Sequence, residues 1–118
     1  MNNIKHIAFR LAQLCRERKF IQAYDELYAD ESIVILPVNL HKPHVKKSKT
    51  VIERIRQIIS NVIIHKIEIS SPLFSGDYFA LNFHVDFTLK NRSRKDVEEL
   101  CVCHLKDGKI TWQPRFMD

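Results

Sequence analysis

The stretch Tyr78-Phe-Ala-Leu-Asn-Phe-His-Val-Asp-Phe-Thr-Leu89 alternates apolar and polar side chains along almost its whole length. Successive side chains of a β-strand point to opposite faces of its sheet, so this stretch predicts one long strand with an apolar face. The apolar row consists of Phe79, Leu81, Phe83, Val85, Phe87 and Leu89. The polar row consists of Tyr78, Asn82, His84, Asp86 and Thr88. Such a strand must pack its apolar row against other elements, and the rest of the fold follows from how it does so.

The carboxyl-terminal part of the chain predicts a β-hairpin. Val97–Lys106 is strand-like, Asp107-Gly108 is a favoured two-residue turn, and Lys109–Met117 forms the returning strand. With these two residues in the turn, we expect Leu100 to lie opposite Arg115.

A charged turn at residues 91–96 joins the two long strands. If their apolar rows lie on one face of the sheet, their polar rows coincide on the other face. That polar surface would then gather His84, Asp86, Glu98, Gln113 and Arg115.

The amino-terminal half predicts helices. Residues 4–18 and 20–28 carry apolar side chains at helical spacing, and Thr50-x-x-Glu53 matches a capping box that opens a third helix. The remaining predicted segments are a strand at 32–37, a loop at 40–48, a strand at 62–70 and a turn at 71–77. Helices followed by long strands indicate one α+β domain over residues 1–118, with the helices packed on one face of an antiparallel sheet.

Composition excludes several classes of protein. The 118 residues are 45% apolar with 2 Gly and 4 Pro, which excludes a disordered chain and a collagen-like repeat. No apolar run approaches the roughly 18 residues of a membrane span, and the first residues lack an apolar signal core, so we expect a cytoplasmic protein. The three cysteines include Cys101 and Cys103, but no second pair completes a metal site. We expect core or strand thiols, with neither a metal nor a cofactor.

The positive charge is concentrated in one segment. The chain carries a net charge of +5, and residues 41–66 contain seven Lys or Arg against Glu53 alone. Such a segment suits nucleic acid or an acidic partner. It contains no Phe, Tyr or Trp on which bases could stack, so we do not expect nucleic-acid binding, and a solvated face or loop is the simpler interpretation.

Several segments together resemble the SnoaL-like polyketide cyclase family of the nuclear-transport-factor-2-like superfamily, and the resemblance covers nearly the whole chain. The segments are Phe20–Tyr28, Ser71–Ala80 with Asp86–Thr88, and Val97–Val102 with Lys106–Ile110. The resemblance implies a cone-shaped α+β fold in which three helices cover a strongly bent sheet and leave a pocket inside. The outer face of the sheet commonly packs against a second subunit in such folds, so we expect a homodimer.

The resemblance also implies that the polar row with Arg115 lines the pocket. Asp86 would then act as a general base, and His84 would be its proton partner or a substrate ligand. Arg115 would bind an anion or neutralise an enolate. The expected ligand contacts are Arg115, Gln113, Glu98, Asn82 and Tyr24.

The sequence leaves three hypotheses for the function. Related enzymes carry carboxylates where this chain has Gln113 and Arg115, which favours binding of a small, partly apolar molecule without chemistry. The alternative is a cofactor-free isomerase, cyclase or hydrolase with Asp86 as base. A third hypothesis is a protein-interaction adaptor that uses the basic segment 41–66. Alternation alone also predicts that the polar row is simply the solvated side of the sheet, with the apolar row as core beneath the helices.

Overall fold

A computed structural model describes residues 3–34, 45–46, 49–90, 93–113 and 115–117. The helices are α1 (Ile4–Arg16), α2 (Phe20–Leu27) and α3 (Lys49–Ser60). The strands are β1 (Tyr28–Val34), β2 (Val45–Lys46), β3 (Val62–Ile69), β4 (Leu73–Ser75), β5 (Tyr78–Leu89), β6 (Arg94–Lys106), β7 (Lys109–Gln113) and β8 (Arg115–Met117). This order confirms the predicted α+β class. No helix within the described ranges is long and apolar enough to cross a bilayer.

The described strands form one mixed sheet. Its main order is β2-β1-β7-β6-β5-β3, with β4 also paired to β5 and β8 to β6. The pairs are antiparallel except for β1 and β7, which run parallel. The prediction of an antiparallel sheet is therefore corrected at β1. No hairpin links β1 to β7, so the turn geometry that forces neighbouring strands to be antiparallel does not act on this pair.

Strands β5 and β6 pair without interruption from Tyr78 opposite His104 to Thr88 opposite Arg94. Strand β6 begins within the predicted 91–96 turn. The more apolar of its two rows lies on the same face as the apolar row of β5, as predicted. The sheet thus has two faces, which we name the helix face and the far face. The helix face carries Phe79, Leu81, Phe83, Val85, Phe87, Val97, Glu99, Cys101, Cys103 and Leu105. The far face carries Tyr78, Ala80, Asn82, His84, Asp86, Asp96, Glu98, Leu100, Val102 and His104.

The hydrophobic core lies between α1, α2 and the helix face. Phe79, Leu81 and Cys103 are at most 1% exposed and cluster with apolar side chains of both helices, such as Leu11 and Leu14. Ile52 and Ile55 of α3 and Phe83 of β5 pack against this cluster and are partly buried. The first part of the apolar row of β5, from Phe79 to Phe83, therefore packs in or against the core beneath the helices.

The predicted hairpin forms, and its register then slips. Asp107 (φ 53°) and Gly108 (φ 78°) are both left-handed, as a tight two-residue turn requires, and Lys106 lies opposite Lys109 as predicted. Beyond the turn, an irregularity in the pairing places His104 opposite Trp112. An extra residue on one strand moves every following partner by one position. Arg115 consequently lies opposite Cys101, and the predicted partner Leu100 is wrong.

Other element boundaries also differ from the prediction, because pairing with another strand sets where these strands begin and end. Strand β1 begins directly after α2, within the predicted second helix and ahead of the predicted strand 32–37, because Tyr28 pairs with Ile110 of β7. The predicted turn 71–77 contains β4, which pairs with the start of β5. The predicted loop 40–48 falls almost wholly outside the described residues, as does the end of the predicted strand at 35–37.

A polar cluster ties both first helices to the sheet. Arg10 donates to both carboxylate oxygens of Glu26, at 2.8 and 3.0 Å, and Lys109 Nζ donates to the Glu26 carbonyl oxygen at 2.7 Å. The Arg10 hydrogen bonds lower the pKa of Glu26 to about 2. A carboxyl group with a lowered pKa stabilises the fold above its unfolded pKa and loses that contribution as the pH falls through its folded pKa.

We therefore expect Glu26→Gln to lower the melting temperature at neutral pH and to flatten its decline between about pH 5 and pH 2. Melting curves across this range test the expectation. Arg10→Gln removes the same hydrogen bonds and should flatten the decline equally. Unchanged pH dependence in both variants would contradict the assignment.

The position of the core gives a second prediction. Leu81 is 0% exposed whereas Leu73 is 75% exposed. Leu81→Ala should reduce the free energy of unfolding by about 2–5 kcal/mol, because it leaves a cavity in the core. The matched change Leu73→Ala should cost less than about 0.5 kcal/mol. Urea unfolding measures both, and equal losses would contradict the assignment of the helix face as core.

Candidate functional site

The polar row predicted to line the pocket lies on the far face. Asn82, His84, Asp86 and Glu98 all project away from α1 and α2, which cover the other side of the sheet. The expectation that this row faces the interior is therefore corrected. The physical reason is that burying apolar area dominates folding, so the helices cover the more apolar of the two faces.

Asp86 is held in an ion pair on this far face. Arg94 donates to both of its oxygens, with Nε 2.8 Å from Oδ1 and Nη2 2.6 Å from Oδ2. These hydrogen bonds hold the pKa of the Asp86 carboxyl below its ordinary value. A carboxylate that binds protons so weakly and is already paired with a guanidinium is poorly suited to act as a general base.

His84 is paired with carboxylates other than that of Asp86. Its Nε2 contacts Oδ1 of Asp96, and its Nδ1 lies 3.6 Å from Oε1 of Glu68. Glu98, its register partner on β6, is exposed. These pairs form a cross-strand ladder over β3, β5 and β6, in which opposite charges on neighbouring strands stabilise the sheet. The structure brings His84, Asp86, Glu98 and Asn82 together as a surface.

Gln113 and Arg115 occupy the last strands, β7 and β8, and their side chains lie outside the described part of the structure. The backbone register nevertheless separates Arg115 from the far-face row. It pairs with Cys101, a helix-face residue that is 1% exposed. The slip in the hairpin is thus what moves this position from one row to the other.

Tyr24 is the predicted site residue whose described side chain lies in the interior. It projects from α2 into the core at 5% exposure, and its ring centroid is 5.1 Å from that of Tyr28. Burial raises the pKa of Tyr24 to about 12, so the phenol is protonated at neutral pH. Its spacing predicted a core or pocket-wall aromatic residue, in agreement with this position.

Glu99 is a carboxylate on the helix face that the sequence analysis missed. It is half-buried, lies between Phe83 of β5 and Met117 of β8 in register, and its Oε1 accepts a hydrogen bond from the Cys101 thiol at 3.3 Å. The signal was present in the sequence. Glu99 has the parity of Val97, Cys101 and Cys103, so it places a charge between apolar residues of that row.

The helix face changes character around Glu99. On one side lies the closed core of Leu81 and Cys103. On the other side, the face continues with half-buried apolar side chains, from Ile64, Ile67, Val85, Phe87 and Val97. An apolar wall with one carboxylate at its inner end can accommodate an apolar body and give a polar group a hydrogen-bond acceptor.

A hollow of about 460 Å³ lies between the start of β1 and the β6–β7 turn. Charged side chains dominate its lining, with Asp25, Asp30, Lys106, Asp107 and Lys109 among them. It is open and polar, in contrast to the apolar wall beside Glu99. Within the described ranges, no three side chains of His, Cys, Asp or Glu converge as metal ligands.

Solved structures share this architecture. A proposed SnoaL-like polyketide cyclase from Mesorhizobium loti superposes with a TM-score of 0.86 at 23% identity, covering 98% of this chain and 99% of that one. A nuclear-transport-factor-2-like protein of unknown function from Burkholderia pseudomallei gives 0.81 at 13% identity, over 100% of this chain and 92% of that one. An epoxide hydrolase from M. tuberculosis that resembles limonene epoxide hydrolase gives 0.70 at 14% identity, over 96% and 84%. At these identities the likeness establishes the fold.

Sequence comparison gives the family. No curated protein matches the chain at a significant level. Residues 2–117 match the SnoaL-like domain, which is essentially the whole chain. The match agrees with the helices, the mixed sheet and the neighbours that share them. The protein belongs to the family of SnoaL-like domains.

Proposed function

We propose that this protein binds a small, partly apolar molecule between its helices and the helix face of its sheet. Glu99 provides the main polar contact, and the backbone register of β8 makes Arg115 a second candidate contact. The observation that carries the proposal is the placement of Glu99, a half-buried carboxylate in an apolar row that α1, α2 and α3 border.

The apolar contact comes from side chains that folding leaves half-buried. Val85 and Phe87 continue the apolar row beyond the closed core, and Ile67 of β3 lies opposite Val85. Binding is stabilised when a ligand removes apolar surface from water, by roughly 25 cal/mol per Å². A ligand with an apolar body therefore suits this wall better than a fully polar one.

The polar contact follows from the two rows that cross β6 and β8. Phe83, Glu99 and Met117 form one row, and Leu81, Cys101 and Arg115 form the next. The register thus offers two candidate contacts, the Glu99 carboxylate as a hydrogen-bond acceptor and Arg115 one row away on β8. We propose that the ligand uses one or both of them.

Binding is favoured over catalysis by Asp86 because that carboxylate is on the other face and paired with Arg94. Some structural neighbours bear enzyme names, such as the epoxide hydrolase. An activity of that kind in this chain would need a base beside the bound molecule, and Glu99 is the described carboxylate in that position.

Glu98 and Glu99 form a matched pair of adjacent glutamates on opposite faces, so they give the sharpest test. Naphthalenemethanol has an apolar body and one hydroxyl donor, and methylnaphthalene lacks the donor. We expect naphthalenemethanol to bind more tightly. Glu99→Gln should weaken it about tenfold, because the amide oxygen that replaces the carboxylate accepts without a charge, while Glu98→Gln should have no effect.

Titrations followed by protein NMR measure these affinities, and the thermal unfolding of each variant shows that it folds. Weaker binding in Glu98→Gln alone would place the site on the far face and contradict the proposal. Equal binding of both probes by the wild-type protein and both variants would show that Glu99 does not contact the ligand.

We also propose that the protein is a homodimer and that the far face forms the interface. Exposed apolar side chains support this, because Leu73, Tyr78 and Leu100 are 75%, 41% and 39% exposed on that face. Apolar side chains grouped on one sheet surface are typical of interaction sites, and a symmetric pair uses the same surface twice.

Leu100→Glu should convert the dimer into a monomer, because the symmetry places the new charge in the interface twice. Size-exclusion chromatography with light-scattering detection measures the mass of the wild-type protein and of the variant. Phe9→Glu is the control, since Phe9 is 55% exposed on α1, away from the far face. A monomeric wild-type protein, or a Leu100→Glu protein that still forms dimers, would contradict this interface.

A further inference from the structure

We infer that Cys101 is a positioning residue whose thiol orients the Glu99 carboxylate toward the ligand. This inference rests on the proposed function, because it concerns the same Glu99 contact. The two residues lie two positions apart on β6, on the same face of the sheet. The Cys101 thiol donates to Oε1 of Glu99, with Sγ and Oε1 3.3 Å apart.

A glutamate in this row needs hydrogen-bond donors. Its register neighbour on β5 is the apolar Phe83, and a carboxylate loses much of its hydration when it is partly buried beside such a residue. The glutamate side chain also has several rotatable bonds, so holding it in one orientation costs conformational entropy. A donor fixed to the central strand beside it reduces both costs before any ligand binds.

A thiol suits this position for three reasons. Cys101 is 1% exposed, and a cysteine is buried at little cost because it behaves as a small apolar residue. Its S–H group donates without carrying a positive charge, so it leaves the negative charge of Glu99 in place. A carboxylate can accept about four hydrogen bonds, so donation by the thiol is compatible with donation by a ligand.

The competing explanation is that Cys101 only fills space. Cys103 allows the two to be separated, because it lies two positions further along β6 on the same face and is 0% exposed. Its register partner is Phe79 in the closed core, whereas that of Cys101 is Leu81. Both thiols fill similar volumes, but Cys103 lies four positions from Glu99 along β6, whereas the Cys101 thiol donates to its carboxylate.

The experiment compares Cys101→Ala, Cys101→Ser and Cys103→Ala with naphthalenemethanol as the probe. Removing the donor in Cys101→Ala should weaken binding about three- to tenfold, the usual range for one lost hydrogen bond. Cys101→Ser restores a donor of similar size and should bind within about twofold of the wild-type protein. Cys103→Ala should bind as the wild-type protein does, and thermal unfolding shows whether each variant folds.

A second measurement requires no ligand. In protein labelled with carbon-13 at glutamate side chains, the carboxyl signal of Glu99 should move in Cys101→Ala and stay near its wild-type position in Cys101→Ser and Cys103→Ala. Equal loss of binding in Cys101→Ala and Cys101→Ser, or an unmoved Glu99 signal in Cys101→Ala, would overturn the inference. Failure of the wild-type protein to bind the probe would instead reject the proposed function, while the carboxyl signal would still decide whether the thiol orients Glu99.

Discussion

The uninterrupted pairing of β5 with β6 is the constraint on which the other features depend. It joins eleven successive residue pairs, from Tyr78 with His104 to Thr88 with Arg94. Directly opposed residues in an antiparallel pair lie on the same face, so one register assigns every side chain of both strands to the helix face or the far face. A slip of one residue would place charges beneath α1 and apolar residues on the other side. The core, the ion-pair ladder and the position of Glu99 all follow from this register.

The distribution of charge between the two faces determines what each can do. On the far face, acidic and basic side chains meet across strands and satisfy one another, as Asp86 and Arg94 do. On the helix face, Glu99 is a charge in an apolar row, where hydrogen bonds and desolvation have much larger effects. A hydrogen bond to Glu99 therefore has a larger effect than one in the ladder. The same argument explains why alternation of polar residues is a poor guide to a pocket.

The end of the chain shows how one local irregularity can change a functional assignment. The turn at Asp107-Gly108 has the backbone angles that its sequence favours, and the first pair after it is as predicted. The extra residue near Thr111 then shifts the partner of Arg115 from Leu100 to Cys101. Thr111 Oγ1 lies 3.0 Å from His104 Nδ1 at this point, and such contacts between side chains carry no periodic signal. A sequence pattern assumes regular pairing, so it cannot anticipate the slip.

The family follows from the match of residues 2–117 to the SnoaL-like domain. Apart from the family, the sequence alone determined the order of the helices and long strands, the α+β class and the row to which each residue of the long strands belongs. These depend on periodicity and turn chemistry, which act between residues close in the chain. Only the tertiary structure decided which row the helices cover, that β1 joins β7 in parallel, and that Glu99 rather than Asp86 lies beside the core. These depend on packing between segments far apart in the chain, where burial of apolar area outweighs local preference.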